Sequence, residues 1–365
     1  MAERDRAVSR QRRRSALTRI LGTVLLFFCA CAIAILAGEG VIRLLKPGFP
    51  GFKTPQVEHR PVAGLGFEMV PKQVAYTAGE RVTINEDGFR GPPVRDPLSS
   101  RLRILCIGDS ITFGYGVDDN APFPRQLEQL LRQGRPEHHD AEVINAGVQR
   151  YFTYQEIDLL RFKGPRLRPD IVVLAVFVND LAIRPQGDTT REYEKEREQA
   201  ATAFRNRLPF VYGLAKNSAL VELTKNAYLQ AGAGPGGLRM FEGVATQRDE
   251  ERWKSMGQEL AAFSQLAREH GFLPVVVAIP GRIQVQKEFP RSLFPNRLLM
   301  LARQEELESL DVLASFRESF NRGVDPYLPW DNHLSSAGHA LVATAIFKRL
   351  MELPPPLKRA DGSVD

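Results

Sequence analysis

The chain has 365 residues, 43% of them hydrophobic, enough for a sizeable buried core and for one large domain or two ordinary ones. Its net charge of +6 is uneven: residues 1–46 carry nine Lys/Arg against three Asp/Glu, which leaves forty of each in residues 47–365. A neutral main body lacks the cationic excess that binds phosphate backbones, and no zinc-ligand spacing or helix-turn-helix pattern occurs, so no nucleic-acid partner is expected.

The basic excess precedes Ile20–Gly38, nineteen residues without a charge, close to the ~20 that cross a bilayer as a helix. Arg10, Arg12, Arg13, Arg14 and Arg19 lie on its N-terminal side. The positive-inside tendency then makes residues 1–19 a cytoplasmic N-terminus and residues 20–38 a transmembrane signal-anchor. The expected product is a single-pass inner-membrane protein with a periplasmic, extracytoplasmic domain. Ala30, Ala32 and Ala34 offer a cleavage site of the A-x-A kind, but the apolar run exceeds the ~7–15-residue core of a signal peptide, which favours an uncleaved anchor. A lipoprotein site at Cys31 is disfavoured by Phe28 and Cys29 ahead of Ala30. Cys29 and Cys31 lie in the span and Cys106 in an apolar run, so no disulfide framework is available.

Residues 39–98 read as a connector and lead-in segment. "KPGFPGFKTPQVEHRPVAG" is rich in Pro and Gly and predicts an extended chain that lifts the domain off the bilayer. "YTAGERVTINEDGFRGPPV" follows, with alternation at Val82 and Ile84 and a turn at Asp87-Gly88, and predicts a short hairpin or edge segment.

From residue 99 to 352 apolar runs alternate with helix-length amphipathic stretches, the pattern of an α/β domain whose parallel sheet is buried on both faces. The runs are Ile104–Ile107, Val143–Ile144, Ile171–Val178, Leu273–Ile279 and, more weakly, Leu310–Leu313. Helices are predicted near 122–133, 152–163, 252–270 and 297–309, with a last one near 336–351 started by Ser335 or Ser336. Residues 183–250 break the rhythm and read as a helical insertion: a charged helix in "REYEKEREQAATAFRNR", an amphipathic one in "PFVYGLAKNSALVELTKNAYLQ" and a break at "GAGPGG". A surface appendage is the simpler account of it, and a lid over a site the other. Residues 353–365 read as a loose tail.

Polar groups gather where parallel strands end, which is where ligands bind in such sheets. Ser110 follows the first run in "ILCIGDSITFGYG", Gly147 ends the second in "NAG", Asn179 follows the third in "VND", and His333 comes after the last in "PWDNHLSSAGH". Each has an ordinary structural reading: a Gly-Asp-Ser turn caps helices, Asn-Asp makes turns, and a glycine relieves the backbone. Among the histidines, His59 falls in the connector, His138 and His139 in a polar loop, His270 at a helix C-terminus, and His339 in the first turn of the last helix as a structural residue. His333 remains as a general base for Ser110, whose hydroxyl is a weak nucleophile without one. Asp331 lies two residues earlier, on the same face if the segment is extended, where it would orient the imidazole. The N–H groups of Ser110 and Gly147 and the amide of Asn179 would form an oxyanion hole. Asp109 and Asp180 read as structural partners of their turns.

Together Gly108-Asp109-Ser110, Gly147, Asn179 and His333 resemble the SGNH, or GDSL, hydrolase family over roughly residues 100–352. "NEDGFRG" also looks like the lead-in of membrane-anchored members. The resemblance implies a three-layer α/β/α flavodoxin-like fold with a parallel five-stranded sheet, and ester hydrolysis through an acyl-serine intermediate without metal or other cofactor. The family's more usual spacing puts its acid where this sequence has Trp330, so Asp331 departs from that spacing.

The expected activity is that of a membrane-anchored serine esterase acting on O-acyl groups, acetyl first among them, of a cell-envelope or secreted glycan. The alternatives are an O-acyltransferase using the same site, a lipid esterase, and a non-catalytic envelope-assembly or glycan-binding protein that keeps the fold. Leu214, Leu220, Leu223 and Tyr228 form an aliphatic stripe in the insertion, which ordinary packing explains and a lipid tail would suit. The expected partners are an ester substrate and, through the N-terminal helix, a membrane. No protein partner is indicated.

Overall fold

The computed structural model describes residues 2–45, 53–96, 102–134, 138–185, 207–221, 223–224, 241, 243–329 and 332–353. The charged stretch at 191–206, the "GAGPGG" break, Tyr228, the tail beyond 353, and Trp330 and Asp331 lie outside them.

A single helix, α1 (Ala2–Leu45), contains the apolar span and continues past it. Its segment Thr18–Leu45 is long and apolar enough to cross a membrane, and none of its most apolar stretch is buried. A signal sequence near an N-terminus passes the same test of length and composition.

The lead-in is more structured than its Pro and Gly content predicts. β1 (His59–Val62) and β2 (Gly66–Met69) pair antiparallel, so His59 opens a strand rather than lying in a connector. Its Pro61 is tolerated because a two-stranded ribbon has an open edge on each strand. β3 (Gln73–Thr77) and β4 (Glu80–Ile84) form a second hairpin, which turns at Ala78-Gly79, both at positive φ. The expected turn at Asp87-Gly88 has another use. Asn85 Oδ1 accepts from the N–H groups of Asp87 and Phe89 at 3.0 Å each, and the reversed chain brings Arg90 into antiparallel bridges with Ile84 and Asn145.

The main sheet is parallel, with β5 (Arg103–Gly108), β6 (Glu142–Gly147), β7 (Ile171–Val176), β8 (Leu273–Ala278) and β9 (Glu308–Asp311) in the order β6-β5-β7-β8-β9. This is the 2-1-3-4-5 order of flavodoxin-like folds, whose switch point lies between β5 and β7. Alternate strand residues enter different cores. Leu105, Ile107, Val172 and Leu174 join one, while Ile104, Cys106, Ile171 and Val173 join the other. Two-sided burial is why these strands read as unbroken apolar runs.

On one face lie α4 (Thr153–Leu167), α6 (Gln247–His270) and α8 (Asn296–Gln304), through Ile157, Leu160, Trp253, Leu260, Phe263 and Leu298. On the other lie α3 (Phe123–Gly134), α9 (Leu313–Asn321) and α10 (Ser336–Glu352), through Leu127, Leu131, Phe316, Val342 and Ile346. The three-layer expectation is met. Two short helices, α2 (Ser110–Phe113) and α7 (Arg282–Gln286), sit at strand ends. In the insertion, α5 spans Pro209–Lys216. Helix α6 starts five residues before the predicted 252, because Thr246 caps it by accepting from Asp249 N while the Asp249 carboxylate reaches back to Thr246 N.

Candidate active site

The switch point carries the candidate nucleophile. β5 ends at Gly108, at φ 156°, where a Cβ would lie 2.1 Å from Thr112 Oγ1, so only glycine lets the chain turn directly into α2. Asp109 caps α2, its Oδ1 accepting from Ile111 N at 2.7 Å. Ser110 is the first residue of that helix, partly exposed at the carboxyl edge of the sheet.

His333 arrives from 223 residues away, its Nε2 lying 2.8 Å from Ser110 Oγ. Its loop is held by backbone bonds from Leu328 N to His333 O and from Ser335 N to Pro326 O. Arg282 donates to Asp325 Oδ2 and Leu328 O, and the Tyr327 hydroxyl donates to Pro280 O, which ties the loop to the end of β8. The Tyr115 ring packs on the imidazole, with centroids 4.5 Å apart.

Asn179 sits in a 3-10 turn, Val178–Asp180, just past β7. Its amide donates to Asp109 Oδ2 at 3.1 Å, and the same oxygen lies 3.2 Å from Ser110 Oγ. Asp109 is thus more than the structural turn partner read from sequence: it joins helix cap, serine hydroxyl and Asn179. A serine hydroxyl has one proton. Pointed at Nε2 it makes the imidazole the acceptor, the arrangement general-base catalysis needs.

Gly147 closes β6 directly beneath α2. A Cβ there would lie 2.2 Å from Phe113 N, so the absence of a side chain lets the Ser110 turn pack on the strand. Its N–H donates to Asn145 Oδ1 at 3.1 Å. As an oxyanion donor it would have to share or exchange that acceptor.

Sequence reasoning misses three residues around the site, because nothing local signals their placement. Buried Arg90 donates to Phe113 O, Gly114 O and Val117 O, at 2.9, 2.5 and 2.7 Å, bracing the chain after α2. The lead-in "NEDGFRG" is its only trace. Tyr115, on the imidazole, is the second. The third is Glu156 of α4, fully buried with no hydrogen-bond partner for either carboxylate oxygen. Burial, and then the Asp109 charge, hold both Glu156 and Asp180 well above the usual carboxyl range. Asp180 nonetheless accepts from Phe177 N at 2.6 Å, which shapes the Asn179 turn.

His339 is structural, as expected: its Nδ1 accepts from Phe123 N at 3.2 Å, and burial drops its pKa to about 3. Among the described residues no group of His, Cys, Asp or Glu could hold a metal ion.

A model of the GDSL-like lipase/acylhydrolase family matches residues 106–341. An uncharacterised protein of Mycoplasma pneumoniae is 26% identical over 148 residues, 40% of this chain, which spans only 17% of that relative's length. Solved structures that resemble the chain include the acetyl xylan esterase AlAXEase (16% identity, 68% of this chain and 100% of that one, TM-score 0.42). A GDSL-like protein of Parabacteroides merdae is 13% identical, over 70% of this chain and 98% of that one, with a TM-score of 0.42. A mutant of the acetyl-xylooligosaccharide esterase Axe2 from Geobacillus is 18% identical, over 72% and 98%, with a TM-score of 0.40.

Proposed function

This chain belongs to the GDSL-like lipase/acylhydrolase family, and on that premise we propose that it is a serine esterase with Ser110 as nucleophile and His333 as its base. The contact that carries the reading is Ser110 Oγ to His333 Nε2, 2.8 Å across two ends of the domain. Ser110 Oγ adds to the acyl carbon while Nε2 takes its proton. The oxyanion is held by the Ser110 N–H and the Asn179 amide, with Gly147 N–H as a third donor once it turns from Asn145. One such donor contributes about 3–4 kcal/mol to the transition state. Collapse expels the alcohol, protonated by His333, and leaves an acyl-serine. Water activated by the same imidazole adds to that ester, and the carboxylic acid departs as Ser110 regains its proton. Asp331 is assigned to orient His333, as the nearest acid in sequence.

We further propose that residues 20–38 anchor the chain in the inner membrane with residues 1–19 cytoplasmic, residues 39–98 as lead-in and the 99–352 domain in the periplasm. The preferred substrate is then an O-acyl group, acetyl first, on a cell-envelope or secreted glycan. The charge asymmetry around the span supports the orientation, and the tether supports the substrate class by placing the domain where such glycans occur. A panel of esters from acetyl to long-chain, given to the full-length protein in detergent with Ser110→Ala as control, tests this. Turnover is expected to favour short acyl groups and vanish in the variant. Preference for long chains would replace the glycan with a lipid ester.

A further inference from the structure

The end of α1 and the insertion are fastened together by two side chains. Glu39 Oε1 accepts from Ala219 N, and its Oε2 from Leu220 N and Ser218 Oγ, at 2.8 to 2.9 Å. A carboxylate 180 positions away thereby does the work of an N-cap for the helical stretch beginning at 219. Arg43, bonded to Glu39 at 2.7 Å, donates to Asn217 O at 2.6 Å, where it satisfies a carbonyl at the C-terminus of α5. One ion pair on α1 thus caps the end of one insertion helix and the start of the next.

This clasp fixes the height of α5. Ile20–Gly38 is nineteen residues, about 28 Å as a helix, close to the ~30 Å hydrocarbon core of a bilayer. Glu39–Leu45 then rises about 10 Å further, through the headgroup layer. Helix α5, tied at Glu39 and Arg43, lies at that level. It presents apolar residues to solvent, with Phe210 76%, Leu214 57% and Val211 46% exposed, and Leu208 ahead of it 50% exposed. Phe210 and Leu214 are one turn apart on one face. A cluster of this kind on a soluble surface marks an interaction site, and beside it Leu44 and Leu45 of α1 are 84% and 76% exposed.

We infer that α5 is an interfacial helix whose Phe210–Leu214 face enters the outer headgroup layer of the bilayer that α1 crosses. The inference rests on the membrane-anchor reading above and adds a second contact to it. The insertion leaves the sheet after Asn179 and returns at α6, so α5 belongs to the segment that joins the catalytic edge to α6. A lid swinging free of the membrane would need the Glu39 and Arg43 clasp to open.

Spin-label accessibility in the full-length protein tests this. The protein carries Cys29→Ser and Cys31→Ser, retains buried Cys106, and is reconstituted in vesicles of phosphatidylcholine and phosphatidylglycerol. Single nitroxides are placed through Leu26→Cys, Phe210→Cys, Leu214→Cys and Val324→Cys. Labels at 26, 210 and 214 are expected to show an oxygen-to-nickel-chelate collision ratio several-fold above that at 324. Adding Glu39→Ala should lower the ratio at 210 towards that at 324 while leaving 26 unchanged. A water-like ratio at 210 and 214 with a lipid-like one at 26 would overturn the inference and leave the anchor standing. Low collision with both reagents at 210 and 214 would also overturn it, since protein would then cover the face. A water-like ratio at 26 would remove the anchor reading, and this one with it.

Discussion

Asn179 donates its side-chain amide to Asp109 at 3.1 Å, on the carboxylate oxygen that also faces Ser110 Oγ at 3.2 Å. Through that oxygen the end of β7 is registered against the end of β5. The proposed oxyanion donor and nucleophile therefore share one support. Asp109→Asn keeps a good helix cap but replaces one acceptor oxygen with a donor. Its melting temperature should change little while kcat falls about 100-fold, the scale of an ångström-sized misplacement. Steady-state kinetics beside thermal unfolding checks this, and an unchanged kcat would count against the shared support.

Gly147→Ala tests whether α2 needs a bare strand beneath it. The added methyl would lie 2.2 Å from Phe113 N, a backbone atom that moves only with α2 and therefore with Ser110. Overpacking of this kind costs about 1–3 kcal/mol. Chemical denaturation should register that loss, and turnover should fall further than stability alone accounts for.

Arg90, almost wholly buried, donates to three carbonyls at the end of α2 and just beyond it. Arg90→Met fills much of the volume, and Phe113 O keeps Asn145 Nδ2 at 3.2 Å while Gly114 O keeps Val117 N at 3.4 Å, so the penalty of about 1–3 kcal/mol for an acceptor left dry falls chiefly on Val117 O. Unfolding in urea should show a loss of about that size. A loss within error of zero would mean that water replaces the guanidinium.

Glu156 supplies a pH test. Its folded-state pKa is raised well above the ordinary value of 4.5, by burial first and by Asp109 second. Above that ordinary value the native state still holds a proton that the unfolded chain has released. This contribution to stability is therefore complete below about pH 4.5 and is lost as pH rises through the folded pKa. Glu156→Gln, which cannot ionise, should flatten the decline in melting temperature as pH rises above about 4.5. A variant that tracks the wild type across that range would show that Glu156 is not the group responsible.

Much of this architecture is legible in sequence because two-sided burial writes parallel strands as apolar runs, as in Ile104–Ile107 and Leu273–Ile279. β9 is displaced from Leu310–Leu313 to Glu308–Asp311 because an edge strand is only half covered, and Glu308 and Ser309 carry no apolar signal. The β1–β2 ribbon hides behind Pro61, Gly64 and Gly66, residues that mark connectors elsewhere. Within the site, Ser110, Gly147 and Asn179 stand out because a polar or bare residue at a strand end interrupts an apolar pattern, whereas His333 lies beyond α9, in the loop before the last helix. Arg90, Tyr115 and Glu156 do not stand out: each takes its place beside the site only when distant segments meet.

The account turns on Ser110 being activated by His333, and the rate of covalent labelling by a fluorophosphonate, located by mass spectrometry, measures this directly. Wild-type protein should carry one adduct on the peptide containing Ser110. Ser110→Ala should carry none, and His333→Ala should label slower by about three orders of magnitude or more. Equal labelling rates in wild type and His333→Ala, or an adduct on another residue, would contradict the account.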